Sequence, residues 1–168
     1  MRFHVNGPFR ISGPVIQGGV ESRNYSSGIA ALHSGEIDWS RDNIKVMLCA
    51  HTYVHNDADV YRSDVVAHEV SGVGYTAGGI KLTGTTVTTE RTPEGVVRVW
   101  GGNDSQWHMS TITAHRVIIY KDTGDPETSP LICCVSVDDA PPSICGTFEV
   151  LWSSDGIAAL RSASSGLA

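Results

Sequence analysis

The sequence predicts an all-β domain: an antiparallel β-sandwich or jelly-roll-like barrel with an extended N-terminal arm and one short helix. Three observations predict it. The composition suits strands and turns, with 18 Gly, abundant Thr, Val and Ser, and only 18% charged residues. Turn signals built from Gly, Pro, Asn and Asp recur roughly every 8 to 15 residues and separate about six to eight candidate strands. The third observation is the stretch DVVAHEVSGVGYTAGGIKLTGTTV at residues 64–87, whose apolar period changes partway along. Residues 64–70 suit about two helical turns, with Ser63 or Asp64 as the cap and Val65, Val66 and Val70 on one face. Ser71-Gly72-Val73-Gly74 stops that helix, and Gly78-Gly79 supplies the positive φ of a sharp corner. Beyond the corner Ile80, Leu82 and Val87 alternate with Lys81, Thr83 and Thr88, with a bulge at Gly84.

In chain order, residues 1–23 form the arm. Pro8 and Pro14 remove ladder donors, and Gly7, Gly13, Gly18 and Gly19 loosen the backbone. Yet Phe3, Val5, Phe9, Ile11, Val15 and Ile16 are too apolar for a solvated tail. A segment that is apolar but cannot pack on itself is expected to dock on another polypeptide, and these six side chains are the candidate partner-binding residues. The alternative is a first strand on its own domain. The β-sandwich domain spans residues 24–161, and residues 162–168 form a flexible tail.

Residues 25–33 (YSSGIAALH) read as one helical turn or an edge segment, and residues 38–43 as a turn cluster. Residues 43–50 read as a strand with Ile44, Val46 and Leu48 on one face and Lys45, Met47 and Cys49 on the other. A polar loop occupies residues 51–62. Residues 85–90 and 96–100 form a hairpin closed by Arg91-Thr92-Pro93-Glu94-Gly95. A Gly-Gly-Asn-Asp turn at residues 101–104 leads to Trp107. Residues 111–121 read as a single interior strand, because Val117, Ile118, Ile119 and Tyr120 run without alternation, as in a strand covered on both faces. Residues 131–137 form the next strand and Pro141-Pro142 stiffens the connection after it. The strand at 146–152 places Phe148, Val150 and Trp152 on one face and Thr147, Glu149 and Leu151 on the other. Residues 156–160 add a last short edge.

A length of 168 residues suits one domain with a core of its own. Twelve basic and eighteen acidic side chains give a net charge of −6, with no block of like charge. That balance argues against nucleic acid or an anionic membrane as a partner. No stretch approaches the ~20 apolar residues of a membrane helix, and the N-terminus lacks signal-peptide order. The cysteines, Cys49, Cys133, Cys134 and Cys145, match neither zinc spacing nor a disulfide framework. Cys133 and Cys134 point to opposite faces of their strand. All four are expected to be reduced and buried, in a chain made in a cytosol.

His51 and His55 with Asp57 and Asp59 are the nearest approach to a metal cluster, but a hydrogen-bonded loop explains them as well. Glu90, Glu94, Asp104 and Glu149 could be drawn as paired carboxylates, yet all sit where turns or solvent faces need charge. No G-x-S-x-G elbow occurs, and Gly72-Val73-Gly74 leads to a strand where a dinucleotide fingerprint needs a helix. Trp39, Trp100, Trp107 and Trp152 fit core packing better than a sugar-stacking platform. No enzyme activity, metal or cofactor is expected.

The segments GEIDWSRDNIKVMLC, DVVAHEVSGVGYTAGGIKLTGTTVT, STITAHRVIIYKDTGDPETSPLICCVSVDD and GTFEVLWSSDGIAAL, in that order, resemble a family of small tailed-bacteriophage virion structural proteins. In that family a strand of the form IKVALL leads to V…EVSGTGYTAGG, followed by ARYAVVYKDTG…SPLIG and a closing GTFTITW…GI. The resemblance covers residues 35–160 and is most specific at 69–79 and 120–131. It implies an auxiliary capsid protein, of the decoration (cement) or minor type, on the exterior of the virion head. Its implied partners are the major capsid protein and copies of itself, as a trimer or other small oligomer. A tail or adsorption component (tube, terminator or glycan-binding module) is the alternative. Residues 1–34 depart from the family's shorter start, and no catalytic or metal residue carries over.

Overall fold

Val117, Ile118, Ile119 and Tyr120 are all fully buried, and the strand that carries them lies in the middle of the largest sheet. The structure, a computed structural model, describes residues 9–10, 21–93, 95–152 and 156–163. Its elements are β1 (Phe9–Arg10), β2 (Glu21–Asn24), α1 (Ser26–Ser34), β3 (Ile44–Cys49), β4 (Ile80–Lys81), β5 (Thr86–Thr92), β6 (Gly95–Gly101), β7 (Ser105–Ile112), β8 (Arg116–Lys121), β9 (Leu131–Ser136), β10 (Ser143–Trp152) and β11 (Ala158–Ala163). Every pairing is antiparallel. A five-stranded sheet runs β2-β9-β8-β3-β4, and two three-stranded sheets run β1-β10-β7 and β11-β6-β5. Among the described residues no barrel closes, and the fold is all-β and sandwich-like.

Period-two patterning decides which core each side chain enters. Ile44, Val46 and Leu48 of β3, with Val117 and Ile119 of β8, meet Trp107 and Ile112 of β7 and Phe148, Val150 and Trp152 of β10 in the main core. The opposite face of the same strands, Met47, Cys49, Ile118 and Tyr120, is covered by Tyr25, Tyr53 and Val65. Cys133 lies in the first core and Cys134 in the second, as adjacent strand residues must. Both faces of the three central strands, β3, β8 and β9, are therefore dry.

Five expectations are corrected. Residues 64–70 form no α-helix; Arg62–Asp64 and Val66–His68 are single 3-10 turns. The sheet captures this segment: Ala50 N donates to His68 O, Val70 N to Leu48 O, and Cys49 bridges Glu69. The α-helix is instead the nine residues Ser26–Ser34, where the sequence of residues 25–33 reads as one helical turn or an edge segment. Asp57 starts it from a distant loop, accepting hydrogen bonds from Ser26 N at 2.8 Å and Ser26 Oγ at 2.6 Å. Gly28 lets it lie on β9, where a Cβ would stand 2.1 Å from Leu131 O. Gly84, at φ +60°, makes a turn between sheets and no bulge: Leu82 N still bonds Ile44 O, while Asn103 N bonds Thr83 O. The single strand read at 111–121 is two strands in different sheets. Cys145, finally, is exposed, while Cys49, Cys133 and Cys134 are buried, and all four are free thiols.

Candidate functional site

The proposed partner-binding residues Phe3, Val5, Ile11, Val15 and Ile16 lie outside the described residues. Of Phe9 only the backbone is described: Phe9–Arg10 pairs with Trp152 and Leu151 of β10. Glu21–Asn24, at the end of the segment read as arm, is the edge strand against β9.

The polar loop at 51–62 is used internally. Asp57 holds the start of α1, and Asp59 accepts a hydrogen bond from Tyr53 at 2.8 Å. Tyr53 in turn bonds the hydroxyl of Tyr25 at 2.7 Å. Burial raises both phenols well above their ordinary range, so this chain holds its protons. His51 meets His115 edge-on, with ring centroids 5.4 Å apart. Among the described residues, no three His, Cys, Asp or Glu side chains gather where one metal ion could be held. The four indoles are also internal: Trp39, Trp100 and Trp107 are each 2% exposed and Trp152 is 8% exposed. None offers a flat face to a sugar ring.

Glu69 is a densely bonded, nearly buried carboxylate. Its carboxylate receives hydrogen bonds from the Tyr75 hydroxyl at 2.8 Å and from Gly78 N, and pairs with Arg62 at 3.2 Å. Tyr75 also accepts from Leu48 N, and Tyr120 donates to Gly78 O at 2.7 Å. Gly79, at φ +73°, lies so close to β3 that a Cβ would stand 1.9 Å from Val46 O. The run Glu-Val-Ser-Gly-Val-Gly-Tyr-Thr-Ala-Gly-Gly at 69–79 is thus a clasp that ties the loop to the sheet. The segment at 122–130 works in the same way. Asp122 pairs with Lys45 at 2.8 Å, Arg62 N and Ser63 N donate to Ser129 O and Pro126 O of this loop, and Leu131 N at its end donates back to Val60 O.

One cleft, of about 180 Å³, is lined by Arg23, Val54, His55, Arg116, Cys134, Ser136 and Asp138. Arg116 is committed within it, donating to Asp138 and to His115 O. His55 lies against the Tyr25 ring, centroids 4.7 Å apart, and its buried Nε2 has no hydrogen-bond partner. Burial, and then the charge of Arg23, hold this imidazole below its ordinary pKa. The cleft has an arginine already neutralised and a histidine kept uncharged, without a serine or cysteine nucleophile bonded to a base. Burial pushes the Cys134 thiol up to about 12, which removes it as a nucleophile at neutral pH. Its seven residues come from four separate segments, so no local spacing announces it.

No known protein family, no curated protein and no solved structure matches this chain.

Proposed function

We propose that this chain is a bacteriophage virion structural protein: an auxiliary capsid protein of the decoration or cement type, seated on the outer head surface and bracing capsomer contacts. It is made in the host cytoplasm, works without catalysis or cofactor, and has the major capsid protein and copies of itself as partners. One observation carries the reading. The two runs in which the resemblance to phage virion proteins is most specific, 69–79 and 120–131, are the fasteners of this fold, with Glu69, Tyr75, Gly78 and Tyr120 bonded to one another. Their distinctive residues are used up by architecture, as suits a rigid building part.

The acidic balance of −6 favours an outer position, because packaged DNA would reward basic residues on an inner one. Attachment is assigned to residues 1–20, through Phe3, Val5, Phe9, Ile11, Val15 and Ile16. Burying that leader on a neighbour gains about 25 cal/mol per Å² of apolar area before ordering costs. Symmetry repeats the gain at every site, so individually weak contacts accumulate. The leader contains Arg2 and Arg10 and no acidic residue, which leaves 10 basic and 18 acidic side chains, or −8, on the remainder. A cationic strap on an anionic body fits docking between copies as well as onto the head.

Deletion of residues 1–20 tests this. Full-length protein is expected to saturate purified empty heads in a cosedimentation assay, and the truncated chain to remain in the supernatant while melting cooperatively. Full occupancy by the truncated chain would overturn the assignment.

A further inference from the structure

We propose that the open edge of β5 is a self-association surface, at which two copies of this chain join antiparallel about a two-fold axis through Thr89 into one six-stranded sheet. β5 pairs with β6 in unbroken register from Thr86↔Gly101 to Thr92↔Gly95. Among the described residues no strand pairs with its other edge. The side chains of residues 86–91 are exposed on both faces of the strand, so the body does not obstruct it.

The parity of the ladder is set by the turn. Thr92 and Gly95 flank a connection of two residues, so they can pair only by exchanging both of their hydrogen bonds. The alternation then turns the backbone groups of Glu90, Thr88 and Thr86 toward β6. Those of Val87, Thr89 and Arg91 face the open edge: three N–H and three C=O groups in a row. Edge strands in stable monomers are usually short or bulged, or carry Pro or Lys. β5 has seven residues, no register shift, no Pro and no Lys, and Thr86, Val87, Thr88, Thr89 and Thr92 are β-branched.

Self-pairing satisfies that edge over its whole length. With Thr89 opposite Thr89 of the second copy, Val87 falls opposite Arg91 and Thr86 opposite Thr92, so each outward-facing residue meets another. Of the two neighbouring registers of the same parity, one sets Glu90 against Glu90, placing like charges directly opposite one another, and the other, centred on Thr88, leaves Arg91 opposite Thr85, beyond the end of β5. The strand is itself neutral, with Glu90 and Arg91, in a chain of net charge −6. It is a strip where two acidic bodies can meet without adding charge. This pairing goes beyond the virion reading and does not rest on it.

Because residue 89 meets its own copy at the axis, Thr89→Lys and Thr89→Glu test the geometry. In sedimentation velocity over a dilution series, the unchanged protein is expected as a dimer or a multiple of it. Each charge variant is expected as a 17.9 kDa monomer that still melts in one cooperative transition, and an equimolar mixture of the two is expected to recover the dimer. Three results would each overturn the proposal: a wild-type monomer at every concentration, variants that associate as the wild type does, or a mixture that stays monomeric.

Discussion

Glu69 shows how much of this molecule depends on single side chains. Its carboxylate is 8% exposed, its partner Arg62 is 15% exposed, and Arg62 also lies 5.7 Å from the centre of the Tyr120 ring. An ion pair this dry gains little over an apolar pair, but losing one partner leaves the other charge buried alone. Glu69→Ala is therefore expected to destabilise the fold by about 3–5 kcal/mol in urea titrations, far above the ~1 kcal/mol typical of a point change. His55 gives a pH signature. Its folded pKa lies below the ordinary 6.5, so the unfolded chain takes up the proton first as pH falls. The stability this confers is complete above that value and declines as pH drops through the window below it. Comparing unfolding free energies at about pH 7.5 and pH 5.5, the wild type should lose more stability than His55→Gln. An equal loss would show that the imidazole titrates normally.

At the scale of elements, legibility follows how local the deciding forces are. β3 and β8 were readable because alternation and a continuous apolar run directly report which faces are covered. α1 was hidden: small residues dominate it, its start is held by Asp57 from another segment, and Gly28 is there for close approach to β9. Residues 64–70 carry a helical period but lose their backbone groups to β3, which a distant strand imposes and no window reveals. The glycine corner was legible in kind though not in partner. Gly79→Ala adds a Cβ 1.9 Å from Val46 O at φ +73° and is expected to cost several kcal/mol, about the range of severe core changes. Gly124→Ala, at φ +90° with nothing within 4 Å, should cost only about 1 kcal/mol. Similar thermal shifts for the two would mean that the clasp yields more easily than its geometry implies.

For the whole molecule, the class of fold was plain from composition and turn spacing, while the assortment of strands into sheets was not. β2 pairs with β9 and β10 with β7 across long stretches of chain, and such choices rest on total burial. The same limit applies to sites. The cleft at His55 draws on four segments, and the β5 edge becomes visible only once the register is known. The expected attachment residues were read from composition alone: apolar bulk beside prolines and glycines that deny it a core. A body whose central strands are dry on both faces, tied by internal clasps, and a leader with apolar bulk to bury are the features on which the proposed brace rests. The most direct test is cryo-electron microscopy of any particle with which the protein copurifies. The account expects density for this β-domain on the outside of the head, repeated at symmetry-related positions between capsomers. Density confined to the tail, or particles complete without the protein, would contradict it.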